Sequence, residues 1–362
     1  MAPSAMMNVS SAWIASAFMP TRDAACRWWW RPVMGKGPQP ASSPERGAVT
    51  MPPETMPLPS RRRVLRLSAL ALAGGALALW SRRPPPVTWQ GQAMGGPASL
   101  TLHGVEEGTA RALVGRVVRL ISTLEGLFSL HRPDSLLSRL NREGELGDPP
   151  AAFTDLLRQA LALSAATAGA FDPTVQPLWQ FYRDGAADFG VVRQAVGWQR
   201  VEVRRDRVRL PPGMALTLNG IAQGYITDRV TDLLLAHGIG HMLVDMGEPR
   251  GIGRRDDGQE WQLGVADPAV AARIATRFPV SGRAVATSAP RGSLIDAAGR
   301  YGHILDPATG LPADRWRQVS VAASTATLAD ALSTAIAASD PIRAQSLLAA
   351  GGGQAIVAGW RV

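Results

Sequence analysis

From about residue 88 the chain alternates between two hydrophobic periods, and the order of these segments is the tightest constraint on its fold. Ala98–His103 alternates apolar and polar residues, as a half-buried strand does. Thr109–Leu127 places Leu113, Val117, Leu120 and Leu124 at helical spacing, and Phe153–Ala168 reads as a second helix. Val201–Leu210 and Ala215–Leu218 read as strands, with Pro211-Pro212-Gly213 as a hairpin turn between them. Gly224–His237 predicts a helix closed by Gly238. Met242–Asp245, Trp261–Val265 and Gln318–Ala322 read as strands, and Leu328–Ala338 and Pro341–Ala349 as helices. Strands, helices and hairpins follow one another without strict βα alternation, and no internal repeat is visible. This order predicts an α+β fold with a largely antiparallel sheet.

The region before residue 88 has a different character. Residues 1–59 hold Trp28-Trp29-Trp30 and many Pro and Ser, without sustained periodicity. Two readings stand: an unstructured arm, or a true start at Met51 or Met56. Residues 60–83 have the pattern of a twin-arginine signal segment. Ser60-Arg61-Arg62-Arg63-Val64-Leu65 runs into the apolar stretch Leu67–Trp80. That stretch has 14 residues, short for a membrane span but suited to a signal h-region. Pro84-Pro85-Pro86 ends the leader, and no Cys follows it to carry a lipid anchor. The pattern predicts export of a folded protein to the periplasm, with a membrane tether if the leader stays uncleaved. Residues 88–362 form the functional domain.

Charge and cysteine content exclude several functions. The net charge of +9 is a leader effect: residues 1–83 carry 11 Lys+Arg against 3 Asp+Glu, and the rest carries 27 against 26. A nucleic-acid footprint would cluster on the domain, so nucleic acid is not the expected partner. Lys36 is the sole lysine of the chain, and Cys26 its sole cysteine. No CxxC site or internal disulfide is possible. His237 and His241 have HxxxH spacing, but Gly238 and Gly240 break the helix that would align them for zinc.

Four segments carry chemistry-bearing residues. Gly169-Ala170-Phe171-Asp172-Pro173-Thr174-Val175 combines a helix stop and a turn with an aromatic ring and an acceptor. Leu218-Asn219-Gly220-Ile221-Ala222-Gln223-Gly224-Tyr225, followed by Asp228, opens a helix with small residues, a setting that suits a diphosphate. Tyr301-Gly302-His303-Ile304-Leu305-Asp306-Pro307-Ala308-Thr309-Gly310 sets a histidine near a carboxylate at a tight turn, where it can be held in one tautomer and move protons. Asp330, Ser333 and Thr334 lie at i, i+3 and i+4 on one helix face, a hard oxygen set that suits Mg²⁺ better than zinc. Alone, the first two segments read more readily as structural, and the last two equally so.

Together, in this order and spacing, they resemble the ApbE family of FAD:protein FMN transferases. Met94-Gly95, Ser129 through Arg132-Pro133-Asp134-Ser135 to Asn141, Leu243-Val244-Asp245-Met246-Gly247 and Gly264-Val265-Ala266-Asp267-Pro268 fit the same pattern. The resemblance spans residues 88–362 and implies an ApbE-like α+β fold with a T-fold-like core. It implies Mg²⁺ held by Asp330, Ser333, Thr334 and the Gly220 carbonyl. It implies FAD contacts at Met94, Ala170, Phe171, Asp172, Thr217, Gln223 and Ile304. FMN would pass from FAD to a Thr or Ser hydroxyl of a partner protein with release of AMP, and His303 and Asp306 would activate or orient that hydroxyl. The variants at the Gly-rich segment resemble exported members that serve nitrous-oxide respiration, which implies a membrane-bound respiratory acceptor.

Some positions depart from the family. Thr217 stands where an Asp is common, and Gln223 where a Lys is common. Gly247-Glu248 replaces Gly-Gly, Ser288-Ala289 replaces Ser-Gly, and His131 replaces a Tyr. The changes bear on FAD affinity and turnover more than on fold. Two other functions therefore remain open: a non-catalytic flavin-binding maturation factor, and an FAD pyrophosphatase that uses water as the nucleophile.

Overall fold

The computed structural model describes residues 84–185, 188–270 and 273–362. The expectations for residues 1–59 and for the leader at 60–83 lie outside them. The chain opens with β1 (Val87–Ala93), β2 (Gly96–Leu102), α1 (Glu107–Phe128), α2 (Leu136–Glu143), β3 (Glu145–Gly147) and α3 (Ala151–Ala166). It continues with α4 (Gln176–Asp184), α5 (Phe189–Gln194), β4 (Glu202–Val203), β5 (Arg207–Arg209), α6 (Ala222–Ala236), β6 (Met242–Asp245) and β7 (Pro249–Ile252). It closes with β8 (Gln262–Ala266), β9 (Ile274–Pro279), β10 (Arg283–Ser288), β11 (Trp316–Ala323), α7 (Ala326–Ala337), α8 (Ala344–Ala350) and β12 (Ala355–Arg361). No helix among the described residues is long and apolar enough to cross a membrane.

The main sheet has seven strands in the order β1-β2-β6-β7-β10-β11-β12, with every neighbouring pair antiparallel. The period-2 pattern of β6 sorts its residues between two cores. Met242 and Val244 join the large core on the helical side, with Leu100, Phe128, Phe153, Tyr225 and Leu332. Leu243 faces the other way and packs with Trp261, Leu263, Val280 and Val285 beneath the β8–β9 hairpin. The α+β, antiparallel expectation therefore holds.

α1 forms because Ala110, Leu113, Val117, Ile121, Leu124 and Phe128 recur every three or four residues and bury one stripe. Glu106 caps its start by accepting from the Gly108 and Thr109 N–H groups. α7 lies on β10 and β11 through small residues on both sides, Ala326 and Ala329 against Ala284, Ala286 and Ala323. That Ala-on-Ala contact lets the helix sit close to the sheet.

Three local expectations change. Val201–Leu210 is not one strand but a short hairpin of its own, β4 and β5, turning at Arg204-Arg205-Asp206. Ala215–Leu218 is not a strand. The side-chain amide of Asn141 donates to the Leu216 carbonyl at 2.8 Å and accepts from its N–H at 2.7 Å, which supplies the partners a neighbouring strand would give. Pro341–Ala349 begins as a 3₁₀ turn over Pro341–Arg343, because Asp340 caps it two residues on, and becomes helical at Ala344.

α6 and α7 meet at their N-termini, and the contact is tight. A methyl group built on Gly224 would lie 2.3 Å from the Ala326 carbonyl oxygen and 2.7 Å from the Thr327 nitrogen. Both are backbone atoms and cannot swing aside. Gly224→Ala is expected to destabilise the protein by about 3 kcal/mol in urea unfolding. Gly240→Ala, where nothing lies within 4 Å, is expected to stay within about 0.5 kcal/mol. Similar midpoints for the two variants would contradict the close-approach reading.

Candidate functional site

The site is built on the α6–α7 junction. Asp228, on the second turn of α6, reaches the first residues of α7. Its Oδ1 accepts from Ala326 N at 2.9 Å, and its Oδ2 accepts from Thr327 N at 2.8 Å and from the Thr327 hydroxyl. Arg250 pairs with the same carboxylate at 2.7 Å. In return, Asp330 Oδ2 on α7 accepts from Gly224 N at 3.0 Å. Each helix thus satisfies N–H groups at the start of the other.

This junction sets Asp330, Ser333 and Thr334 together, as the i, i+3, i+4 spacing predicts. Asp330 and Ser333 are buried, and Thr334 is half-buried. Ser288, at the end of β10, adds a hydroxyl: its Oγ lies 2.8 Å from Ser333 Oγ and 3.3 Å from Thr334 Oγ1. Gly220 closes the cluster from the loop before α6. A methyl there would lie 2.9 Å from Thr334 Oγ1, so the absence of a side chain brings this backbone against the hydroxyls. Donors of this kind, one carboxylate with hydroxyl and backbone oxygens, fit a hard divalent cation. Burial pushes the Asp330 carboxyl up, the Gly224 N–H opposes it, and the charge of Asp228 adds to the rise.

Three of the FAD-contact candidates, Met94, Thr217 and Gln223, lie on or next to the segments that lead into this helix start. Met94 and Gly95 form the two-residue turn between β1 and β2, both left-handed at φ 51° and 80°. The conformation is unfavourable for Met94, and the Glu125 carboxylate on α1 holds it by accepting the Met94 N–H at 2.7 Å. Gln223 packs between this turn and the next: its Nε2 would lie 3.4 Å from a methyl on Gly96 and 2.3 Å from one on Gly247. Thr217 N donates to the Pro173 carbonyl at 2.8 Å, which joins the Gly-rich segment to the 169–175 segment.

Ala170, Phe171 and Ile304 are buried parts of the main core. Asp172 is buried and its oxygens are engaged within the fold, by Thr174 N at 2.8 Å, Thr174 Oγ1 at 2.6 Å and Trp198 N at 3.3 Å. Burial raises its carboxyl above the ordinary range against these bonds. In this structure Asp172 shapes the loop.

His303 and Asp306 do not pair with each other. His303 Nδ1 lies 3.2 Å from the Ser293 carbonyl oxygen, to which it donates when protonated. Burial lowers its pKa, which keeps the ring neutral near pH 7 and able to take a proton. Asp306 instead shapes its own turn, accepting from Ala308 N at 2.8 Å and Thr309 Oγ1 at 3.0 Å. The turn competes for the carboxylate, and Ala308 and Thr309 satisfy it locally. The Pro290 carbonyl, two residues beyond Ser288, is pressed against Gly302, where a methyl would lie 2.3 Å away.

The sequence reading passed over three contributors. Ser288 enters only as a departure, Glu125 not at all, and Glu248 as a changed glycine. Only the polar character of Ser288 and Glu248 beside short strands could have signalled them. His237 ends α6 with Nδ1 2.7 Å from the Leu233 carbonyl and Nε2 2.9 Å from Arg116, whereas His241 Nδ1 accepts from Arg254 N at 2.9 Å. No group of three or more His, Cys, Asp or Glu among the described residues could hold a metal alone.

Asp245, buried at the end of β6, gives a testable electrostatic signature. Burial pushes its carboxyl up to about 7, while the Gly247 N–H at 2.9 Å pulls the other way. The folded state then binds this proton more tightly than the unfolded chain, so stability falls as pH rises from about 4 to about 7. In metal-free buffer, Asp245→Asn is expected to be near neutral at pH 4 and to gain stability over the wild type by roughly 4 kcal/mol at pH 8. A pH-independent difference in denaturant unfolding would rule this out.

The chain resembles known proteins in sequence and in fold. A sequence model of the ApbE family matches residues 94–357. The chain is 30% identical over 245 residues to a FAD:protein FMN transferase of Vibrio cholerae serotype O1, covering 63% of this chain and 73% of that protein. It is 31% identical over 258 residues to a FAD:protein FMN transferase of Treponema pallidum, covering 62% and 70%. Its fold is similar to the apo crystal structure of Pseudomonas stutzeri flavinyl transferase ApbE, with TM-score 0.67 and 28% identity over 75% of this chain and 90% of that one. The ApbE protein of Thermotoga maritima is similar with TM-score 0.65 and 26% identity over 74% and 93%. The expected ApbE-like fold is thus borne out, and with the family match spanning well over half its length this chain belongs to the ApbE family.

Proposed function

We propose that the chain is a FAD:protein FMN transferase that moves FMN from FAD to a Thr or Ser hydroxyl of a partner protein and releases AMP. The observation that carries this reading is the oxygen cluster of Asp330, Ser333, Thr334 and Ser288 against the Gly220 backbone, at the start of α6. A Mg²⁺ ion bound there would neutralise charge on the FAD diphosphate and act as a Lewis acid. Asp330 already takes the Gly224 N–H at the start of α6, and the positive end of the helix dipole there adds to the attraction for the same anion. Met94, Gln223 and Thr217 border that helix start and would bind the rest of FAD.

In the transfer step the acceptor oxygen forms a bond to the FMN phosphorus. The bond from that phosphorus to the bridging oxygen breaks, and its electron pair leaves on AMP. The neutral His303 ring is suited to take the hydroxyl proton. Asp306 serves by holding the turn that carries His303. The leader pattern at residues 60–83 supports a periplasmic setting after twin-arginine export, with a flavin-acceptor subunit of a membrane-bound respiratory complex as partner.

The test mixes purified protein with FAD, Mg²⁺ and a flavin-acceptor domain and follows covalent flavin fluorescence on a denaturing gel. Asp330→Asn keeps an acceptor for the Gly224 N–H but removes the charge, and is expected to lower transfer at least about 100-fold with little change in thermal unfolding. Absence of a fluorescent acceptor band with wild-type protein would defeat the proposal and favour a flavin-binding maturation factor. Free FMN and AMP formed without an acceptor would favour the pyrophosphatase.

A further inference from the structure

Glu248 occupies the Met246-Gly247-Glu248 turn between β6 and β7, and its Oε2 accepts from Thr287 N at 3.3 Å. The next residue on β10 is Ser288, whose hydroxyl holds those of Ser333 and Thr334. The Thr287 N–H thus holds Glu248 beside the end of β10, one residue from the strand position that carries Ser288. Its charge and that of Asp330 act on each other, and Asp245 adds a third.

None of these three carboxylates forms an ion pair among the described residues. Asp228 is the contrast in the same region. It is as buried as Asp245 and Asp330, with Glu248 half-buried, yet it has Arg250 and three donors of α7. The side chain packed across Gly247 is Gln223, which carries no charge, and the domain contains no lysine. Clustered carboxylates without a counter-ion are costly away from water, and a divalent cation resolves them.

We propose that Glu248 is a further carboxylate of the cation site, acting on the same divalent ion as Asp330. This rests on the reading of Asp330, Ser333 and Thr334 as that site. Its consequence is tighter cation binding than one carboxylate provides. Across several ångströms at an effective dielectric constant of about 20, a full charge facing a divalent ion is worth at least about tenfold in affinity.

The experiment titrates Mn²⁺ into the full chain and follows free Mn²⁺ by EPR, first alone and then with FAD present. Glu248→Gln is expected to weaken Mn²⁺ binding about tenfold or more, and Glu248→Asp, which keeps the charge, to recover most of it. Thermal unfolding without metal reports the folded fraction of each variant. Should Glu248→Gln not fold, Glu248→Gly carries the same expectation. Equal Mn²⁺ affinity in wild type and the uncharged variant overturns the proposal and leaves the Asp330 site standing. Wild-type protein that binds no Mn²⁺, with or without FAD, overturns both.

Discussion

The Asp228 carboxylate is the interaction on which the site depends. It is buried, and each of its oxygens is engaged: Oδ1 by Ala326 N and Arg250, Oδ2 by the nitrogen and hydroxyl of Thr327. A carboxylate buried this way is stable because every lone pair meets a donor and one partner is a full charge. The bonds fix α7 in register with α6. Gly224 makes the approach possible, and its own N–H goes to Asp330. Were the junction to slip by one residue, Asp330 and Thr334 would turn away from Gly220.

The electrostatics then divide the region in two. Asp228 is neutralised within the fold. Asp245, Glu248 and Asp330 are not, and burial raises all three above the ordinary carboxylate range. Such uncompensated carboxylates are rare where only stability matters, because the folded state must hold protons or a cation to keep them. Beside them stand hydroxyls, not amines or thiols. The region is thus suited to a hard cation and an anionic partner of that cation, which is the combination a diphosphate requires.

The longer helices were legible in the sequence because their apolar residues recur with a period that few other structures produce, whereas the short α2, α4 and α5 offer too few turns to show that period and were not read. α1, α6 and α7 fall where Leu113 to Leu124, Gly224 to His237 and Leu328 to Ala338 predict them. The inner strand β6 was legible from its short apolar run Met242-Leu243-Val244. The errors are at Val201–Leu210 and Ala215–Leu218, where alternation was present without a neighbouring strand of matching length. Asn141, 75 residues from Leu216, supplies the missing bonds, and no local pattern announces it.

By itself the sequence determined the long helices and several of the strands, the α+β class, and the i, i+3, i+4 oxygen face of Asp330, Ser333 and Thr334, since each follows from spacing along one helix or strand. It also determined that lysine and cysteine chemistry are absent from the domain. Tertiary structure alone decided which side chains share a site. It brought Ser288 and Glu248 to the cluster from β10 and the β6–β7 turn, and turned Asp306 to its own loop rather than to His303. Those outcomes depend on strand register and on competition among donors for each carboxylate, and both are settled only when distant segments pack together.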